Sequence, residues 1–316
     1  MNSQNDINSQ VYALLEDLTT FGMKSAPRGH KVVEANVATL DIDPLHPIMN
    51  FSDRKFNYKY FAGELAWYLS KDNSIDFINN FSTFWAGLTD NGKINSNYGT
   101  ILLGNHPSTP NIQESPTERT FNTGVNQLEW AYNSLKKDKD SRQAVAFLNC
   151  PYYQYEGNRD FVCTMYLNFW IRHDRLDMKV QMRSNDIFFG LSYDAPWFSL
   201  VHQSMYLELK KIYPELKIGM YYHCADNIHY YERHFELVEK IVSSPVTRSP
   251  RFSLKHSLFE FDSNGKLSIT KEAQEYLEKV NSLVTFQNQS GEKISKDEWK
   301  TILTTMVDIV EDQIST

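Results

Sequence analysis

The stretch FVCTMYLNFWIRHDRLDMKVQMRSNDIFFGLSYD, residues 161–194, decides the fold. At its odd positions stand Phe161, Cys163, Met165, Leu167, Phe169 and Ile171. All are apolar, and a period of two is the signature of a strand with one buried face. His173-Asp174 supplies a turn. Leu176, Met178, Val180 and Met182 then alternate with Arg175, Asp177, Lys179, Gln181 and Arg183. The pattern predicts two antiparallel strands packed on one side, followed by a loop that delivers Asp186 and Asp194. A thiol, a guanidinium and two carboxylates are thereby expected on one stiff scaffold.

Outward from that unit, helices alternate with short strands. Residues 1–10 are polar and read as a loose end. Helical spacing covers 11–21, 56–70, 75–85, 122–136, 195–212 and 228–243, and strands are expected at 31–43, 144–150 and 216–224. Residues 103–120 carry three prolines and read as a loop. After residue 245 the character changes to polar sequence with two helices, near 271–284 and 296–312. The expected organisation is an α+β catalytic domain over 1–245 and a C-terminal helical appendage over 246–316.

Bulk properties narrow the function class. A net charge of −7 supplies no basic field for a nucleic-acid backbone, although a few local arginines suffice for one phosphate. The three cysteines, Cys150, Cys163 and Cys224, have no CxxC spacing. They read as reduced thiols, not as a disulfide framework or a zinc site, and no metal is expected. The N-terminus has neither a basic segment nor an apolar run, and nothing approaches the roughly 20 apolar residues that span a bilayer. A cytoplasmic protein without membrane partners is expected, in the host cytoplasm if it is phage-encoded.

Cys163 alone would be a small inert hydrophobe, but an arginine near a thiol stabilises thiolate, and Arg183 ends the next strand. Arg183-Ser184-Asn185-Asp186 packs one cation and three hydrogen-bonding side chains into consecutive positions, a set suited to one phosphate and a polar ring. Glu64 lies among Ala62, Gly63, Leu65, Ala66 and Trp67. A carboxylate in apolar company has a raised pKa suited to proton transfer, or else lies on the wet face of its helix.

The order Cys163, Arg183-Ser184-Asn185-Asp186, Phe189-Gly190, Tyr193-Asp194, His229-x-Tyr231-x-x-His234 resembles the thymidylate synthase superfamily and, within it, the phage-type deoxycytidylate (dCMP) hydroxymethylase branch. Glu64-Leu65-x-Trp67, Trp85, Asn95-Ser96-Asn97-Tyr98-Gly99, Asp140-Ser141-Arg142 and Phe161-Val162-Cys163-Thr164 extend the resemblance over about residues 20–240. It implies a mixed or antiparallel sheet with packed helices, one sheet face serving a homodimer. It implies Cys163 as the nucleophile that adds to pyrimidine C6, Glu64 as general acid and base, and 5,10-methylenetetrahydrofolate as co-substrate. Arg28, Arg183 and Ser184 match phosphate ligands, and Arg142 matches an arginine supplied to the partner's site. His229 and Tyr231 match residues on the sugar 3′-hydroxyl. Asn185 and Tyr98 belong to the implied nucleotide site, and Trp85 and Asp186 match the folate pocket.

Three departures carry information. Thymidylate synthases have a second arginine where Gln143 stands, which removes the residue type for one phosphate contact. Thr164 replaces their usual histidine, as in the hydroxymethylase branch. Asp194 replaces their asparagine. An ionised carboxylate only accepts hydrogen bonds, which suits the N4 amine of cytosine as it does in DNA readout. The implied reaction converts dCMP and methylenetetrahydrofolate to 5-hydroxymethyl-dCMP and tetrahydrofolate. The alternatives are a C5-methyltransferase on dCMP or dUMP that releases dihydrofolate, and a CMP-specific hydroxymethylase. The sequence after residue 245 does not match the synthase tail that excludes water from the folate site, which agrees with hydration of the transferred carbon.

Overall fold

The computed structural model describes residues 5–89, 91–104 and 126–311. The loop expected over 103–120 lies almost wholly outside them, as does the start of the helix expected over 122–136; its described part is Gln127–Lys137. The chain forms two compact units, one from Met1–Asn57, Ile171–Ser257 and Thr304–Thr316, the other from Tyr58–Trp170 and Leu258–Leu303.

The first unit is built on the long strand Lys217–Tyr231. Val32–Ile42 pairs with it antiparallel, from Val32 opposite Tyr231 to Ile42 opposite Tyr221. Arg175–Met182 pairs with it parallel, and so does the short Asn185–Asp186, with Asn185 opposite Ile228 and Asp186 opposite His229. The sheet is therefore mixed, and the fold is α+β. Helix Ser192–Lys210 packs on it and buries Trp197, Phe198, Leu200, Val201, Met205 and Leu209. Each such side chain contributes about 1.5–3 kcal/mol by leaving water. The predicted end of the long strand at 224 and the helix from 228 are corrected by this register. Pairing with Val32–Glu34 holds the chain extended through Tyr231, so His229 and Tyr231 lie on a strand end and not in a helix's first turn.

From residue 5 onward the chain is more ordered than its polarity suggests. Asp6 caps helix Ile7–Phe21 by accepting from the N–H groups of Asn8 and Ser9, and it also accepts from Ser249 N–H at 3.1 Å. The predicted helix over 296–312 stops at Leu303. Val307–Val310 forms a strand antiparallel to Arg251–Leu254.

In the second unit, helix Tyr58–Ser70 is buried without a break from Phe61 to Leu69. A helix apolar all round needs cover on every face. Part of that cover comes from Lys271–Ser290 and Lys296–Leu303. Tyr276 donates to Ala62 C=O at 2.8 Å, and Trp299 meets Phe81 edge-on at 5.0 Å. The helix expected over 75–85 is instead two short pieces, Ile75–Ile78 and Phe84–Gly87.

The opening stretch forms Thr164–Arg172 and Arg175–Met182, joined at His173-Asp174. One detail differs from the predicted alternation. The buried side chains are Val162 and Thr164, then Leu167, Phe169 and Ile171. The inward set changes parity near Met165, whose C=O accepts from both Leu148 N–H and Asn149 N–H, at 3.0 and 3.3 Å. Two residues facing one is the arrangement of a β-bulge. Cys163 lies off the buried face and is half-buried.

Candidate active site

In the second unit the chemistry is built around Glu64. The residue is 4% exposed, and its Oε1 accepts from Tyr60 O–H at 2.8 Å. Tyr60 stands four residues earlier, one turn away on the same helix face. Its oxygen in turn accepts from Trp85 Nε1–H at 3.2 Å. Trp85 packs on Trp67 at 5.2 Å and on Phe84 at 5.3 Å. An indole can only donate, so this arm has one direction, from Trp85 through Tyr60 to Glu64.

Cys163 is not in a disulfide; its thiol points at Phe161 C=O, 3.8 Å away. The segment before it is tied down firmly. Asn149 Nδ2 donates to Val162 C=O at 2.7 Å. Asp160 takes Ser96 N–H at 2.8 Å and Ser96 O–H at 2.7 Å, and Asn95 Nδ2 donates to Asp160 C=O at 3.2 Å. Asn97 caps the helix that starts at Tyr98. Tyr98 is buried against Tyr68, and Gly99 is needed there because a Cβ would lie 1.8 Å from Tyr68 C=O. The Asn95–Gly99 motif thus braces the cysteine's approach. Arg142 and Gln143 are exposed.

In the first unit Asn185, Asp186, Asp194, His229 and Tyr231 come together. Asp186 accepts from Phe188 N–H at 2.8 Å and Phe189 N–H at 3.3 Å, capping a wide π-helical turn, Ile187–Leu191. That turn feeds helix Ser192–Lys210, whose first turn carries Asp194, where the helix dipole favours negative charge. Asp194 Oδ2 accepts from Asn185 Nδ2 at 2.8 Å. Gly190 makes the approach possible, since a Cβ there would sit 2.7 Å from Asn185 Nδ2 and 3.3 Å from Asp194 Oδ2. The residue keeps some exposed surface, but the protein packed round its carboxyl pushes the pKa up to about 6. Asn185 opposes the rise and Asp186 adds to it.

Behind this pair lies a buried chain that the sequence reading missed. His223 Nε2 is 3.0 Å from Asn185 Oδ1, and Tyr221 O–H is 2.7 Å from His223 Nδ1. Burial lowers the His223 pKa to about 3 and raises that of Tyr221 well above a phenol's usual value. Both residues lie at alternate positions of a strand, which marks a shared face but not its purpose. Arg54 was also missed. It is a buried guanidinium that donates to Phe188 C=O and lies 5.5 Å from that ring's centre. Burial lowers its pKa, against the pull of Tyr193 and Asp186. Nothing in its neighbours Asp53 and Lys55 distinguishes it from a surface charge.

His229 Nδ1 is 3.0 Å from Asn227 Oδ1, and Asn227 donates to Glu34 at 3.0 Å, which orients the ring. Burial lowers the His229 pKa, against Asp186 and Glu34. Tyr231 is flanked by Arg233 at 4.4 Å and His30 at 6.2 Å. Arg28 is exposed and left-handed, with φ of 52°, and Arg183 and Ser184 are half-buried after the strand Arg175–Met182. Among the described residues no group of three or more His, Cys, Asp or Glu is placed to hold a metal ion. No helix there is long and apolar enough to cross a membrane.

The chain has relatives among known proteins. The thymidylate synthase family profile matches residues 13–271. A deoxyuridylate hydroxymethyltransferase of Bacillus phage SP01 is 27% identical over 71% of this chain and 57% of its own length, so the match spans little more than half of that relative. A deoxycytidylate 5-hydroxymethyltransferase of Enterobacteria phage T6 is 28% identical over 58% of this chain and 71% of its own. A thymidylate synthase of Mycoplasma genitalium is 24% identical over 64% and 73%.

Proposed function

Because the chain belongs to the thymidylate synthase family, whose co-substrate is methylenetetrahydrofolate, we propose that it hydroxymethylates C5 of dCMP. The observation that carries the choice of base is Asp194. A carboxylate held at Oδ2 by Asn185 offers Oδ1 as an acceptor for the cytosine N4 amine, and a shared proton would engage N3 as well. Uracil O4 needs a donor instead, which an ionised carboxylate lacks. The mismatch costs about 1–3 kcal/mol.

In this reading Cys163 adds as thiolate to C6, and C5 becomes nucleophilic. 5,10-Methylenetetrahydrofolate would supply the one-carbon unit to C5, which gives up its proton, and would leave as tetrahydrofolate. Glu64 moves protons through Oε2 while Oε1 stays bound to Tyr60, and it positions the water that completes the hydroxymethyl group. Expulsion of the thiolate restores the ring. Arg28, Arg183 and Ser184 bind the 5′-phosphate, charge-assisted contacts that suit arginine. His229 and Tyr231 take the 3′-hydroxyl. Exposure of Arg142 fits its assignment to a partner subunit's site in a homodimer.

The residues present fit a folate. Arg54 Nη1 is buried without an acceptor at hydrogen-bond geometry among the described residues. Phe189, 51% exposed, lies under Arg233 at 4.8 Å. A guanidinium donor and a cation-backed aromatic face suit a glutamate carboxylate and a flat ring. The family resemblance assigns Trp85 and Asp186 to the folate as well.

A second reading, hydroxymethylation of dUMP, is favoured by the activity named for the phage SP01 relative. Separate turnover of dCMP, CMP and dUMP with methylenetetrahydrofolate tests the proposal. Fastest turnover of dCMP without dihydrofolate supports it. Fastest turnover of dUMP or CMP, or release of dihydrofolate, overturns it.

A further inference from the structure

The chain Tyr221–His223–Asn185–Asp194 has a direction. Each step is 2.7–3.0 Å long. An ionised Asp194 can only accept, so Asn185 must present Nδ2–H to it and Oδ1 to His223. His223 must then carry its proton on Nε2, and in a neutral ring this leaves Nδ1 as the acceptor for Tyr221 O–H. The two middle members are ambidextrous. An amide turned round and the other imidazole tautomer would run the chain backwards, with Asp194 protonated and donating. Tyr221 breaks that symmetry, because a phenol is a better donor than acceptor and an imidazole nitrogen is a strong acceptor. Tyr221 and His223 are both almost completely buried, so water does not compete for the two ring contacts.

We propose that Tyr221 and His223 are positioning residues that set the proton direction of the Asn185 amide and so hold Asp194 as the acceptor that selects an amino-pyrimidine. The proposal rests on the reading of Asp194 as the base-contacting residue. It assigns base selectivity to two residues on the sheet, with no substrate contact of their own, as well as to the aspartate. The neutral His223 and un-ionised Tyr221 that the direction requires agree with their burial. The other ionisable groups that bear on the chain are Asp186, which acts on Asp194, and Cys224, which acts on Tyr221.

The test has two arms on the full-length protein. In the first, ¹⁵N NMR of ligand-free protein reads the His223 tautomer between about pH 5 and 8, the range in which a free histidine titrates. The expected result is a neutral ring protonated at Nε2, with Tyr221→Phe giving a mixture of tautomers. A ring protonated at Nδ1, or a cationic ring, overturns the proposal whatever the substrate is. In the second arm, kcat/KM is compared for dCMP and dUMP. Tyr221→Phe and His223→Leu are expected to lower the dCMP preference about five- to tenfold, the scale of one buried hydrogen bond. They are also expected to move the acidic limb of the dCMP profile to higher pH. His223→Gln, which can still donate to Asn185 Oδ1, restores most of the preference. An unchanged ratio and limb in a folded Tyr221→Phe protein overturn the proposal, even if His223→Leu does not fold. Wild-type preference for dUMP together with the expected tautomer overturns the reading of Asp194 and removes the selectivity role, while the hydrogen-bond direction stands.

Discussion

Glu64 and Asp194 are both carboxylates largely removed from water, and each is reached by a string of hydrogen-bond donors. The strings differ in what fixes them. The one to Glu64 starts at Trp85, which has no acceptor, and passes through one hydroxyl. The one to Asp194 passes through an imidazole and an amide, each of which can be turned round. The first arrangement commits one oxygen, Oε1, to a donor of fixed direction. The second makes the state of the carboxylate depend on residues two and three steps away. A group proposed to exchange protons and a group proposed to read a pattern of donors are thus supported differently.

Breaking the Glu64 arm has the largest expected effect. Glu64→Gln keeps the Tyr60 contact but loses proton transfer, and kcat is expected to fall by about 10²–10⁴, the usual share of general acid–base catalysis. A fall below tenfold in steady-state assays would assign the proton transfer elsewhere. Breaking the Asp194 arm should change selectivity more than rate. Asp194→Asn is expected to move the dCMP-to-dUMP ratio of kcat/KM toward dUMP by about ten- to a hundredfold, from roughly 1–3 kcal/mol of mismatch. An unmoved ratio would remove Asp194 from base recognition.

Smaller effects sharpen the contrast. Tyr60→Phe is expected to lower kcat about three- to tenfold through one lost hydrogen bond, with the base ratio unchanged. A change in that ratio would show that the Glu64 arm also contributes to recognition. The least local prediction concerns acid. His202 and His223 are held neutral by burial, with pKa values lowered to about 4 and about 3. The stability they confer is full above a free histidine's pKa and is lost as pH falls through the folded values. Asp194, raised to about 6, acts oppositely: its contribution is present below a free aspartate's pKa and is lost as pH rises through 6. Two large downward shifts outweigh one upward shift, so the denaturant midpoint should fall between pH 7 and 5. A midpoint that rises over that range would contradict this assignment.

Much of this was legible in the sequence, for identifiable reasons. Alternation marked the strands of 161–194, and the motif order marked Cys163, Glu64, Arg183 and Asp194. The bulge at Leu148–Asn149 was not legible, because it depends on both N–H groups meeting the one carbonyl of Met165. Nor was the extension of the strand to Tyr231, where pairing with Val32–Glu34 overrides local helical spacing. Tyr221 and His223 fall in the strand expected over 216–224, and only the register that sets His223 opposite Val180 and Asn185 opposite Ile228 brings them to Asp194. Residues 271–284 read as helix, but the packing of Lys271–Ser290 against the helix that carries Glu64 is a long-range fact.

Product mass from an equimolar mixture of dCMP and dUMP with methylenetetrahydrofolate tests the central claim most directly, because both bases compete for one site. The account predicts 5-hydroxymethyl-dCMP as the main product, with dUMP largely unchanged and no dihydrofolate. A main product derived from dUMP, or a methylated nucleotide accompanied by dihydrofolate, would contradict it.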